Sequence, residues 1–291
     1  MPVRSPAHPS EASPAPADPA APALAPALTP ALSPASPRRF AAGRVILALV
    51  LREMSTRYGR TPGGYIWGIL EPLAAILFLS IGFSLVMRTP SLGTSFLLFY
   101  ATGYLPFNLY QTLSSMIGAS LRFSKPLLKY PAVSWLDAVL ARFLLNSLTG
   151  ILISIILLGG ILAVIDSRSV LDLPPIVQAM SLTMVLGLGV GVINCAISGL
   201  FPLWEVIWGI LSRPLFLASG IFFLYDNMPP MAQTILWYNP LIHIIGLMRT
   251  GFYPTYAATY AEPVYVLGIS LGLLAMGLLL LGRYHREILN R

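Results

Sequence analysis

Residues 143–165 read FLLNSLTGILISIILLGGILAVI, without one charged side chain. At about 1.5 Å of rise per residue, a helix of this length covers the roughly 30 Å hydrocarbon core of a bilayer. Five further apolar runs flank it: 66–87, with Glu71-Pro72 near its start; 96–119, interrupted by Gly103 and Pro106; 176–200; 206–225, with Arg213-Pro214 inside; and 264–282. Each is near the roughly 20 residues that a membrane crossing needs. Lipid offers the backbone no hydrogen-bond partner, so each run must be a helix. The expected fold is therefore an all-α polytopic membrane protein with six transmembrane helices.

Composition supports the same class. Mean hydropathy is +0.76, and only 10% of the 291 residues are charged, against about 25% in an ordinary soluble domain. The net charge of +7 does not indicate nucleic acid, because the basic residues cluster between apolar runs, as membrane orientation requires. With the N-terminus inside, the cytoplasmic side carries Arg38, Arg39, Arg44, Arg52, Arg57, Arg60, Arg122, Lys125, Lys129, Arg142, Arg283, Arg286 and Arg291; the far side carries Arg88, Arg168 and Arg249. That imbalance predicts a multi-pass protein with both termini cytoplasmic. No cleavable signal peptide is expected from the opening residues. The single cysteine, Cys195, cannot form an intrachain disulfide and leaves the redox compartment unread.

Three segments are not simple spans. Residues 1–37 are nearly all Pro, Ala and Ser and read as a disordered, extended tail. Residues 40–60 place Leu47, Val50, Leu51, Met54 and Tyr58 at helical spacing, with Arg52, Glu53, Thr56, Arg57 and Arg60 mostly opposite. That pattern predicts an amphipathic helix in the membrane interface, or a peripheral helix packed on the bundle. Residues 226–256 are apolar but broken by Pro229-Pro230, Pro240 and Pro254. Two helical pieces too short to cross, meeting at Asn239-Pro240, predict a re-entrant hairpin in the outer leaflet or an amphipathic surface loop.

Several chemistries are not supported. Neither lysine, Lys125 or Lys129, follows glycine, so the phosphate-binding Gly-Lys-Ser/Thr loop is missing and no ATP site of that type is expected. His8, His243 and His285 are scattered and suggest no metal triad. Gly268-Ile269-Ser270-Leu271-Gly272 has the form of a nucleophile elbow, but it falls in mid-span without an acid–histidine pair. Its spacing, and that of Gly187 and Gly191, reads better as small residues permitting close helix approach. No set of acidic or histidine groups supports an intramembrane transferase.

The polar and aromatic residues of the spans carry more information. Charges in a membrane cost roughly 2.5–3.5 kcal/mol on insertion scales, so Glu71, Glu205 and Arg213 need interfacial positions or partners. Arg249 lies in the apolar hairpin beside His243. It calls for an ion pair with Asp226 or Glu262, or for contact with an anionic substrate or headgroup. Aromatic residues cluster in the second span (Phe99, Tyr100, Tyr104, Phe107, Tyr110), late in the fifth (Phe216, Phe222, Phe223, Tyr225) and in the hairpin (Trp237, Tyr238, Phe252, Tyr253, Tyr256). They read as an interfacial belt, or as platforms on which sugar faces can stack.

Taken together, LREMSTRYGRTPGGYIWGILEPL (51–73), SLRFSKPLLKYPAVSWLDAVLAR (120–142), LFPLWEVIWGILSRPLFLASGIFF (200–223) and WYNPLIHIIGLMRTGFYPTY (237–256) resemble the permease subunit of capsule-polysaccharide ABC exporters, within the type-2 ABC exporters. The likeness covers roughly 40–291 and implies one transmembrane domain over 38–291; the 1–37 tail has no counterpart in it. It implies a bacterial inner-membrane channel subunit that moves a lipid-linked acidic glycan outward, with O-antigen, teichoic-acid, lipid or drug export as alternatives in the same superfamily. It further implies a homodimer, two copies of a separate ABC ATPase that binds ATP and Mg, and a periplasm-spanning co-polymerase-type partner. This chain itself would hold no cofactor or metal and would not be an enzyme. By the same resemblance, Arg52, Glu53, Arg57, Tyr58 and Arg60 belong to the gate helix. Arg122, Phe123, Lys125, Pro126, Leu127, Lys129 and Tyr130 belong to the segment docking into the ATPase. Tyr104, Phe107, Tyr110, Arg213, Phe216 and Phe222 are expected along the substrate channel, with Trp237, Tyr238, His243 and Arg249 at its exit.

Overall fold

The computed structural model describes residues 41–58, 64–128, 133–165 and 171–290. The 1–37 tail, Arg60, Lys129, Tyr130 and Arg168 lie outside the described residues, as do the side chains of Arg57 and Tyr58. Among the described residues every regular element is a helix: α1 (Ala41–Tyr58), α2 (Tyr65–Val86), α3 (Phe96–Gly118), α4 (Ser120–Ser124), α5 (Trp135–Val164), α6 (Leu173–Leu200), α7 (Trp204–Leu217), α8 (Pro230–Leu236), α9 (Pro240–Phe252) and α10 (Pro263–Asn290).

Local chemistry sets many of these boundaries. Proline opens α8, α9 and α10, a position where its missing N–H costs nothing and its fixed φ suits the helix. Ser134 and Asp137 form a reciprocal capping box on α5, which is why α5 begins eight residues before the apolar run of 143–165. The Ser95 side chain accepts from the Leu98 N–H at the start of α3, and the Asn239 side chain accepts from Leu241 at the start of α9.

Among the described residues, four helices are long and apolar enough to cross a membrane: Ile66–Val86 of α2, and α5, α6 and α10. The other two expected spans differ. α3 has the length, but it is the central helix, with most of its residues from Leu98 to Ile117 buried, and it carries polar residues that the interior largely shields. It also runs unbroken through Gly103 and Pro106, against the expected interruption. An internal proline costs a helix about 3 kcal/mol, and the burial of Pro106 and its neighbours outweighs that. The fifth expected span, 206–225, is a 14-residue helix that stops at Leu217, about 21 Å long. Beyond it the chain turns at Gly220, whose φ is 86°, a conformation that favours glycine.

The core centres on α3 against α6. A Cβ on Gly187 would lie 2.7 Å from Leu113 Cβ, and one on Gly191 2.7 Å from Ile117 Cβ, so this pair of glycines is the notch that seats two buried side chains of α3. The companion pair on α10 behaves otherwise: Gly268 and Gly272 face open space. The close approach of α6 and α10 uses Gly189 and Gly277 instead. Their added Cβ atoms would meet Ser270 O at 2.6 Å and Ile193 N at 2.9 Å. Exposed Phe78 and Leu85 of α2, Leu148 and Ile155 of α5 and Leu279 of α10 form an apolar exterior, as a lipid-facing surface requires.

Candidate functional site

Three clusters hold most of the residues singled out above. The first gathers at the end of the bundle where α1, α4 and the start of α5 meet. Arg142 of α5 lies 3.0 Å from the Glu53 carboxylate of α1, both side chains being almost fully buried. Arg142 Nη1 also donates to the Met116 carbonyl of α3 at 2.7 Å, and its guanidinium stands 4.3 Å over the Phe123 ring of α4. Arg52 approaches the same ring at 5.6 Å. Arg142 thus links Glu53 of α1 to Phe123 of α4, and Arg52 of α1 meets the same Phe123 ring. Sequence reading had counted Arg142 only as an orienting charge, and its isolation at the head of an otherwise apolar helix was the available signal. Arg122 instead points outward and pairs with Glu205 of α7 at 2.6 Å. Lys125 and Leu127 are half-buried and Pro126 is exposed, on the turns that follow α4.

The second cluster is the aromatic lining expected of a channel. Phe216 of α7 is the hub, with ring centroids 5.0 Å from Phe107, 5.1 Å from Phe222 and 6.4 Å from Tyr104. Tyr110 joins through Phe107 at 6.1 Å. Phe107 and Tyr110 are buried, whereas Tyr104, Phe216 and Phe222 are half-buried and Arg213 is exposed. Phe107, Gln111, Arg213, Phe216 and Leu217 border an open groove between α3 and α7. A separate polar cleft of about 80 Å³ lies between α2, α3 and α5, lined by Glu71, Asn108, Thr112, Asn146 and Thr149.

The third cluster is the α8–α9 hairpin at the other end. Trp237 stacks near Tyr265 at 4.7 Å and meets His243 edge-on at 5.4 Å. His243 is fully buried. Its Nδ1 accepts from the Glu262 N–H at 3.1 Å, so Nε2 carries the proton and donates to the Trp237 carbonyl at 2.7 Å. One neutral ring therefore ties the α8–α9 junction to the start of α10. Tyr238 is exposed beside it. Below, Tyr256 donates to Asp226 at 3.2 Å. Burial, reinforced by Tyr260 and Asp226, pushes the Tyr256 phenol well above its usual range, so it remains a donor.

Arg249 corrects an expectation. It is 2% exposed and pairs with neither Asp226 nor Glu262. Its Nη1 and Nη2 donate to the Phe223 and Ile221 carbonyls, each at 2.9 Å, and its guanidinium stands 4.1 Å over Phe99. The acceptors are backbone carbonyls of the stretch after α7, where the helix has ended and cannot satisfy them itself. Arg249 therefore faces the interior and not an opening through which a polymer could pass.

Comparison with known proteins follows the same outline. The ABC-2 type transporter signature matches residues 44–253, from α1 through α9. The chain belongs to the ABC-2 type transporter family. Among individual proteins, this ABC-2 transporter chain is 31% identical over 229 residues to the polysialic acid transport protein KpsM of Escherichia coli, covering 79% of this chain and 86% of that protein. It is 32% identical over 250 residues to the capsule polysaccharide export inner-membrane protein BexB of Haemophilus influenzae, covering 84% and 93%. With the protein CtrC of Neisseria meningitidis, likewise named for capsule polysaccharide export at the inner membrane, identity is 27% over 245 residues, covering 84% and 92%.

Proposed function

We propose that this chain is the inner-membrane permease subunit of an ABC exporter of capsular polysaccharide, working as a homodimer with two copies of an ABC ATPase. The carrying observation is similarity, over 79–84% of this chain, with relatives from three genera that are named for capsule polysaccharide export or polysialic acid transport. Polysialic acid is an acidic glycan, so an acidic lipid-linked cargo is the natural substrate class. A co-polymerase-type partner would continue the path across the periplasm.

The geometry supports a six-span version of the fold. α3 needs no apolar exterior because the bundle surrounds it. The stretch after α7 can complete a crossing without helix, because irregular backbone is tolerated at membrane depth where protein satisfies it. Arg249 does so at Ile221 and Phe223, and Asn239 Nδ2 donates to the Ala218 carbonyl at 2.9 Å. The α8–α9 hairpin then dips into the outer leaflet, and the distribution of Lys and Arg keeps both termini cytoplasmic. The exposed apolar face of α7, with Val206, Ile207 and Ile210, is where the second protomer docks, which places the Phe107–Phe216 groove beside the dimer axis.

In a strain that makes capsule, deletion of the gene should abolish surface polymer and leave polymer trapped in the cytoplasm. The full-length chain supplied on a plasmid should restore the surface polymer. Normal capsule in the deletion strain would refute the reading. For the ATPase contact, the native Cys195 is buried, so single cysteines are readable. Phe123→Cys and Leu127→Cys should crosslink to the purified ATPase, while Ser84→Cys, at the far end of α2, should not. Absence of crosslinks at the first two would remove the docking assignment.

A further inference from the structure

Near the cytoplasmic end, α3, α6 and α7 border a half-open cavity of about 250 Å³. Three of its lining groups, one from each helix, are buried polar atoms without a hydrogen-bond partner: Gln111 Oε1, Asn194 Nδ2 and Trp208 Nε1. A buried polar atom left unsatisfied costs roughly 1–3 kcal/mol, so three such atoms on residues that border one space mark it as a place where a hydrogen-bonding ligand would repay a small side-chain rotation. The orientation of Asn194 is fixed, because its Oδ1 accepts from Trp204 Nε1 at 2.9 Å. Its amide nitrogen is therefore a true free donor. Trp204 and Trp208 lie nearly parallel, with centroids 6.3 Å apart and planes at 28°. One water takes about 30 Å³, so the space is several times what a single bridging water would need.

We propose that this cavity is a glycan-binding site that receives one sugar unit of the polymer on the cytoplasmic side. The inference rests on the export reading above and deepens it. Two donors, Asn194 and Trp208, and one acceptor, Gln111, match hydroxyls, which both accept and donate. The tryptophan pair supplies the flat apolar surface that a sugar's C–H face covers. A phosphate headgroup is the poorer match: it has no apolar face to lay on the tryptophans, and the one cation among the lining residues, Arg122, is already held by Glu205 at 2.6 Å. Arg122 is also the residue before Phe123 of the docking helix, which places sugar contact and ATPase contact on adjacent side chains.

The test uses the full chain with its ATPase in exporting cells. The double variant Gln111→Met, Trp208→Phe replaces two orphan polar groups with apolar ones of similar shape. If the cavity is only a hydrated void, that change is neutral or stabilising and surface polymer stays at the wild-type level, which overturns the proposal. If the site holds sugar, membrane abundance and dimerisation are unchanged while surface polymer falls about tenfold, the equivalent of 1.4 kcal/mol. A wild-type chain that exports no polymer would instead refute the export reading, so the two failures are distinct. A second measurement covers a double variant that does not accumulate. A Cβ on Gly209, which lines the cavity, would meet no atom within 4 Å, so p-benzoyl-phenylalanine fits there. In cells fed a tritiated sugar precursor, illumination should crosslink this position to labelled polymer. No crosslink, or a crosslink to ³²P-labelled phospholipid alone, overturns the proposal.

Discussion

Replacing Arg249 with alanine is expected to remove most of the chain from the membrane. The guanidinium makes two charge-assisted hydrogen bonds to the Phe223 and Ile221 carbonyls and covers the Phe99 ring. Charge-assisted bonds are worth about 1.5–3 kcal/mol each, although cycles within membranes return less, about 0.6 on average. The truncation also empties a large buried volume, for which about 2–5 kcal/mol is typical of core side chains. A loss of about 4 kcal/mol is the expected scale, a large share of a stability of 5–15 kcal/mol. The measurement is thermal unfolding in detergent together with membrane abundance. Arg249→Lys, which keeps a cation but loses the planar fork, should recover only part of the stability. Charge reversal at Asp226 or Glu262 should recover none of it, because neither acid is the partner. An alanine variant of normal abundance and normal melting that fails only in export would show that Arg249 faces the polymer after all.

The outline of the fold was written in the apolar runs, and its departures trace to contacts remote in sequence. α5 was legible because lipid demands an uninterrupted run, and nothing else in a chain looks like residues 143–165. The end of α7 was not legible. Residues 218–223 are apolar enough to continue a helix, and what allows them to stop is an arginine in α9 that satisfies their carbonyls. For the same reason the partner of Arg249 was sought among acids. A backbone carbonyl leaves no mark in composition, and only the loss of helix makes it an acceptor. The continuity of α3 through Pro106 depends on packing from α5, α6 and α9, which no local propensity reports. The glycines of α6 were correctly read as contact points, whereas those of α10 at 268 and 272 match the same pattern and touch nothing, because spacing cannot say which face of a helix is covered. In the candidate site, the aromatic residues of α3 and α7 were legible as a class. The sharing of Arg142 between α1 and α4, and the convergence of Gln111, Asn194 and Trp208, required the fold.

Substituting Arg142 alone and substituting it together with Glu53 are expected to differ sharply for stability and to agree for export. A buried ion pair is costly to form, and breaking it by removing one member typically costs about 3–5 kcal/mol, because the other charge keeps its desolvation penalty. Arg142→Met should therefore lower thermal stability sharply: Glu53 loses its buried contact at 3.0 Å, and the Met116 carbonyl loses its donor at 2.7 Å. The double variant Glu53→Leu, Arg142→Met removes both charges, and apolar replacements of similar volume are often neutral or stabilising. Its melting temperature should return to within a few degrees of wild type. Export should not return with it. Arg142 is the side chain that joins α1, α3 and the Phe123 ring of α4, and, if α4 is the segment proposed above to dock on the ATPase, a leucine–methionine contact has neither the direction nor the strength to move α1 when α4 is pulled. The complex should therefore hydrolyse ATP at a near-normal rate while surface polymer falls by an order of magnitude or more, the uncoupled behaviour that a purely structural ion pair would not give. Restored export in the double variant would reduce the pair to packing. Exchanging the two residues, Glu53→Arg with Arg142→Glu, should restore neither property fully, because the carbonyl of Met116 and the ring of Phe123 both require the cation to come from α5.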